Sequence, residues 1–319
     1  MNIQQLLCDY AQGQRLFYNS DFVAANLIGL NLAHANFSEG NFTAASLART
    51  DLSHCCLRRA NLQDAFLYGA NLSYAKLEWV NLAKADLTKV NLRGATLAHG
   101  NLSQAQLSGA ILCWVIFFMA DLQKVNLCGA NLTGVNFRGA NLTGADLSWS
   151  NLSQAKLSGA ILQGTNLHGA RLQQAYLNGV DFRGRDFSGL NWERVLFSGG
   201  KGNAMTLVGT NLTGAVLRFT SFREANFSQA CLNQADLQHV DLTGANCQHL
   251  EAIACNFQKA NLSAVDFRHG NLQGSDFRGA NLRGVDFTGA NLQGAMFDEV
   301  QFQGSVFGQA TQARTLLAS

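Results

Sequence analysis

Ala280-Asn281-Leu282-Arg283-Gly284-Val285-Asp286-Phe287-Thr288-Gly289 states a rule that nearly the whole chain obeys. A small residue, an Asn or Asp, a large apolar centre and two freer positions form one unit, and the next unit follows without a spacer. From Phe17 to Phe307 a centre falls at every fifth position, 59 in all, and 55 of them are Leu or Phe. The four others are Trp192, Gly202, Cys247 and Ala252, and 18 of the 21 Phe in the chain are centres. Two residues before the centre stands Ala in 28 units and Ser, Gly, Thr, Cys or Val in 25; the position between holds Asn or Asp in 36.

A period of five fits neither a helix nor an alternating strand. It fits a short extended piece followed by a corner. In the extended piece the small residue and the centre share one side, inward, and the Asn or Asp between them points out. The two residues after the centre also point out, which requires the chain to turn. Asn and Asp bond to nearby backbone at such bends. The expected product is a solenoid with a column of Leu and Phe at its core. Around the C-terminal part the centres alternate, Phe257, Leu262, Phe267, Leu272, Phe277, Leu282, Phe287, Leu292, Phe297. Coils of twenty residues stack Phe on Phe and Leu on Leu, whereas coils of fifteen put Phe on Leu. Four sides per coil are therefore expected.

These units resemble the pentapeptide-repeat family over more than nine-tenths of the chain. The resemblance implies an all-β fold, a right-handed quadrilateral β-helix; at the ~4.8 Å spacing of paired strands its coils would make a rod roughly 70 Å long. The repeat region is assigned to residues 15–309, with a capping segment at 1–14 and a tail or cap at 310–319. In Asn2 to Gly13, Ile3, Leu6, Leu7 and Tyr10 fall at helical spacing, so a short amphipathic helix is expected to cover the first coil. Similar helical starts occur in cyanobacterial members of the family.

Solenoids escape the usual size limit because each coil touches only its neighbours, so the 319 residues read as one domain. The absence of Pro suits backbone that is nearly all laddered. A net charge of +2 points neither to nucleic acid nor to a membrane surface. Met1 to Arg15 lacks the pattern of a signal peptide, and Ala110 to Ala120 is too short to span a bilayer. Eight Cys without CxxC spacing point to reduced thiols in the cytoplasm. Two stretches break the rule. Around Ser198-Gly199-Gly200-Lys201-Gly202-Asn203 no core residue is present, so a mobile loop is expected at Gly199–Asn203. Leu250 in a small slot and Ala252 at a centre exchange volume. The last coil, with Phe297, Phe302 and Phe307, has an open strand edge that invites a homodimer.

A filled core leaves no lumen, so any site is external. Twelve of the 21 acids are slot aspartates such as Asp86, Asp121, Asp146 and Asp266, suited to turns. His34 with His54, and His249 with His269, lie twenty apart, but no third ligand accompanies them. Gly recurs at corners and forms no phosphate loop. Neither catalytic residues nor a metal or other cofactor are expected.

One face differs. Three faces hold Asn or Asp in 11 of 15, 10 of 15 and 10 of 14 slots, but the face through Phe17, Phe37 and Leu57 holds them in 5 of 15. Leu16, Ile116, Tyr176, Leu196, Val216 and Met296 stand there instead. Trp79, Phe118, Met119 and Phe219 belong to the same face, as does a column of Arg58, Arg138, Arg218 and Arg278. Tyr74, Ile111 and Trp114 lie around its corner. Such a mixture suits a protein interface; the alternative is drift on a face that needs fewer turn bonds, with Trp79 and Trp114 lying flat over their neighbours. The docking set is Trp79, Ile111, Trp114, Ile116, Phe118, Met119, Arg138, Tyr176, Leu196, Arg218 and Phe219. Small neighbours, Thr96 and Ala98 on one side and Gly134 and Gly139 on the other, are expected to leave the large side chains raised. The family resemblance also implies a second function, imitation of duplex DNA toward DNA gyrase. That mechanism needs an acidic face, and here the divergent face and its neighbour carry 14 basic against 12 acidic residues, the other two 7 against 8.

Overall fold

A computed structural model of the protein describes residues 2–311, which fall into two compact units that divide between Ala170 and Arg171. Each unit is built from the same coil. Bridges are parallel and join residues twenty apart, as in Asn61 with Asn81 and Asn81 with Asn101 in the first unit, or Asn261 with Asn281 in the second.

One five-residue unit shows why the sequence repeats as it does. The Asn81 N–H donates to Ala60 O of the previous coil at 3.0 Å, and the Leu82 N–H to Asn101 O of the next at 2.7 Å. Lys84 N–H reaches Ser103 O at 2.9 Å, and Ala85 N–H closes the turn on Leu82 O at 3.1 Å. Only the N–H of Ala83, directly after the centre, lacks a backbone acceptor, and Asn81 Oδ1 takes it at 3.2 Å. The Asn or Asp therefore completes the donor inventory, since buried or half-buried donors must be paired. The amide nitrogen also ties one coil to the next, for Asn81 Nδ2 donates to Asn61 Oδ1 at 2.9 Å, and Asn101 Nδ2 to Asn81 Oδ1 at 3.3 Å. The last residue of each unit is left-handed, as Lys84 is at φ 58°, which explains the frequency of Gly there.

The centres are buried, Leu142 completely. Phe stacks on Phe at the spacing of one coil: Phe257 on Phe277 at 5.0 Å and 3°, Phe267 on Phe287 at 5.5 Å and 10°. Most polar side chains in the small slot donate to the carbonyl of the centre 23 residues earlier, as Thr50 does to Leu27 at 2.7 Å and Cys55 to Leu32 at 3.0 Å, whereas Ser150 donates to Leu147 O at 2.6 Å. Leu250 and Ala252 are both buried, in keeping with exchanged volume.

The helix α1, Ile3–Ala11, begins at Asn2, whose Oδ1 accepts from Gln5 N–H at 2.7 Å. Leu6 is buried, and Tyr10 Oη donates to Ala33 O in the coils at 2.9 Å. Arg15 lies 3.7 Å over the Tyr10 ring and donates to Tyr10 O. These contacts hold the helix to the first coils.

The expected loop at Gly199–Asn203 does not form. Lys201 bridges Asp181 and Ser221, Gly199 N–H donates to Arg218 O at 2.9 Å, and Gly202 N–H to Ser221 O at 2.7 Å. The missing core volume comes from elsewhere. A Cβ on Gly200 would sit 2.3 Å from the Phe197 ring, and one on Gly202 would sit 2.6 Å from Phe222 and 2.7 Å from Met205 Sδ. The glycines make room for large neighbours, so the stretch is packed backbone. In the last coil Phe297, Phe302 and Phe307 are half-buried, while the expected tail at 310–319 lies outside the described residues from 312 on.

A candidate docking face

The divergence of one face has a backbone consequence. Ile111 and Ile116 replace the Asn or Asp that would accept the N–H of Cys113 and Phe118. At three other such slots the loss is made good by an Asn one coil back: Asn178 accepts from Ser198 N–H at 2.9 Å behind Leu196, Asn203 from Arg223 N–H at 3.2 Å behind Ser221, and Asn233 from Ile253 N–H at 2.8 Å behind Glu251. The equivalent positions behind Cys113 and Phe118 are Arg93 and Ala98, whose side chains accept nothing. The two bonds are given up without replacement.

In the N-terminal unit the corner residues Trp79, Trp114 and Met119 take left-handed φ of 64°, 62° and 54°. Bulky residues enter this region at a cost, where Gly would not. The side chains turn along the column of corners. Trp79 stacks on His99 at 4.2 Å and 8°, and His99 meets Phe118 edge-on at 5.7 Å, so three successive coils carry one aromatic run. Trp114 does not stand raised as expected: its ring lies on Gly134, where a Cβ would sit 2.3 Å away, and Met119 Cγ lies 3.2 Å from a Cβ built on Gly139. The glycines seat the large side chains flat. The other ring faces remain open, and Trp79, Trp114 and Met119 stay 56, 52 and 55% exposed. Ile111, Ile116 and Phe118 are also exposed.

Arg138 follows Phe118 one coil on and is exposed; its backbone N–H donates to Asn136 Oδ1 at 3.2 Å. The C-terminal unit carries the rest of the expected set. Phe219 stacks on His239 at 4.8 Å and 8°, Tyr176 is exposed, and Leu196 is half-buried. Arg218 is bound to Asp236 at 2.5 Å. Sequence reasoning missed His99, although 79, 99 and 119 stand one coil apart. It also missed Trp149, 65% exposed on another corner, which lies on Gly169 in the same manner as Trp114 on Gly134.

The histidine pairs do stack, His34 on His54 at 4.8 Å and His249 on His269 at 5.2 Å. Among the described residues no group of three His, Cys, Asp or Glu could hold a metal ion, and no helix is long and apolar enough to cross a membrane. All eight cysteines are free. Burial pushes the Cys55 and Cys255 thiols up to about 12 and Cys247 higher still, which keeps them in the unreactive thiol form.

Comparison with known proteins bears on the family. A model of pentapeptide repeats matches in eight copies over residues 20–59, 57–88, 75–112, 120–159, 150–189 and 206–244. A second, for a pentapeptide repeat region, matches residues 232–307. No curated protein sequence matches the chain. Among solved structures the chain is similar to HetL, a pentapeptide repeat protein from the cyanobacterium Nostoc involved in regulation of heterocyst differentiation. Identity is 24% over 97% of this chain and 98% of that one, with a TM-score of 0.37. It is also similar to a pentapeptide repeat protein, Rfr23, from the cyanobacterium Cyanothece, at 23% identity over 41% of this chain and 86% of that one, TM-score 0.23. A third is QnrB1, a plasmid-mediated fluoroquinolone resistance protein, at 17% identity over 73% and 91%, TM-score 0.25. With family matches along most of its length, on a backbone that within each unit bridges residues twenty apart and turns the Leu and Phe centres inward, the chain belongs to the pentapeptide-repeat family, with that family's quadrilateral β-helix.

Proposed function

We propose that the chain is a non-enzymatic cytoplasmic scaffold that binds a protein partner through its divergent face, with Trp79, Trp114, Ile116, Phe118 and Met119 as anchors. One observation carries this reading: at Ile111 and Ile116 two turn hydrogen bonds are given up, uncompensated, where large apolar side chains are exposed. Each such bond contributes roughly 0.5–1.5 kcal/mol, so stability offers no reason for the exchange. Large apolar patches left open to water mark interaction sites, and aromatic anchors dominate binding energy. A core filled by Leu and Phe favours a role for the outer surface, and eight free thiols agree with a reducing compartment.

The test is capture of partners from the native host by the full chain beside the Trp114→Ala/Phe118→Ser double variant. Circular dichroism should be unchanged and the captured protein lost. Equal capture by both would remove the face from consideration.

A further inference from the structure

The arginines of the divergent face separate into two kinds. Arg58 holds Glu78 at 2.9 Å, from the position twenty residues on. Arg218 holds Asp236 at 2.5 Å, from eighteen residues on, and Arg278 holds Asp276 at 2.7 Å, from two residues before. These are the three places from which a carboxylate reaches this column. For Arg138 the same three places are Ser158, Lys156 and Asn136. All three lack a carboxylate, and Arg138 forms no ion pair with any described residue. From Thr96 to Ser158 this face carries no acid at all, only Arg138 and Lys156 as full charges.

That unpaired guanidinium borders the aromatic run. Phe118 and Arg138 occupy the same position in successive coils, joined through Met119 N–H to Arg138 O at 3.0 Å, so they are about 4.8 Å apart along the column. We infer that the face binds an acidic, apolar peptide segment of its partner, one that lays an aromatic or aliphatic side chain on Trp79, His99 and Phe118 and brings a carboxylate to Arg138. The inference rests on the docking function proposed above and adds the chemical class of the partner. A guanidinium and a carboxylate match as a two-pronged pair, and Lys156, one coil further, suits a second acid. Single-stranded nucleic acid fits less well. Ile111, Ile116 and Met119 offer a base no stacking face, and two cations neutralise few phosphates.

The experiment is selection of a displayed random-peptide library on the full-length chain, with counter-selection on the Trp79→Ala/Phe118→Ser variant. The recovered peptides should join Asp or Glu to an aromatic or aliphatic residue and bind Arg138→Gln about tenfold more weakly. Arg138→Glu should shift the recovered pool toward Lys and Arg. Peptides that need the aromatic pair yet show no acid enrichment, and bind Arg138→Gln unchanged, would overturn the acidic class and leave the docking face standing. No peptide dependent on the aromatic pair would overturn both. Tighter binding of oligothymidylate than of any selected peptide, lost with Arg138→Gln, would assign the face to nucleic acid instead.

Discussion

Gly134→Ala should be far more disruptive than a corner glycine suggests, because Trp114 covers Gly134 and occupies the space its Cβ needs. Gly134 has φ +67°, and Ala there meets the ordinary left-handed penalty of about 1 kcal/mol. The added Cβ would also sit 2.3 Å from Trp114 Cε3 and Cζ3. Carbon atoms rest about 3.5–4.0 Å apart, so the ring must lift by more than an ångström and give up its seat. A further cost of about 1–2 kcal/mol follows, typical of overpacking. Gly129 supplies the control: it has φ +65° and nothing within 4 Å, so Gly129→Ala should cost only the backbone term. In a Trp114→Ala background Gly134→Ala should also fall to that term, a coupling of about 1–2 kcal/mol in the double-mutant cycle. Urea unfolding of the four variants gives the costs, and of the two that keep Trp114, Gly134→Ala should shift the tryptophan emission and Gly129→Ala should not. Equal costs for Gly134→Ala and Gly129→Ala would show that the ring is not seated on the glycine.

Other expectations are more local. Leu142→Ala, at a fully buried centre, should cost about 2–5 kcal/mol; a loss under about 1 kcal/mol would mean that the centre does not face the core. Limited trypsin digestion should spare Lys201, since its segment is laddered on both sides, and early cleavage there would restore the loop. Arg278 beside Asp276 holds that carboxyl down to about 2, so its stabilisation is complete above the ordinary carboxylate range near pH 4 and is lost as pH falls through about 2. Melting temperatures of Asp276→Asn should therefore fall less than those of the wild type between pH 4 and 2, and parallel curves would contradict the pairing.

The coil was legible because its signal is local and repeated. Residue size gives the inward positions, and the alternation of Phe and Leu gives four sides. Features that depend on a residue one coil away were harder to read. Gly199 to Asn203 looks unanchored along the chain, yet Phe222, twenty residues on from Gly202, fills the gap. The small size of Gly134 suggests a raised Trp114, but it instead lets the ring lie down. The replacement of a lost turn bond by Asn178, Asn203 or Asn233 likewise works across coils. The apolar character of Ile111–Met119 was visible in the sequence, but its lack of any such replacement required the hydrogen bonds. The unpaired state of Arg138 also emerges only when its three carboxylate positions are compared with those of Arg58, Arg218 and Arg278.

The docking claim is tested most directly by photo-crosslinking at the aromatic run. Benzoylphenylalanine placed at Phe118 in the full chain, and separately at Phe66, an exposed aromatic of another face, would be irradiated in cells of the native host. A discrete protein adduct at position 118 that is absent at 66, and that disappears when Trp79→Ala is added, is the expected result. No adduct at 118, or the same adducts from both positions, would contradict the account.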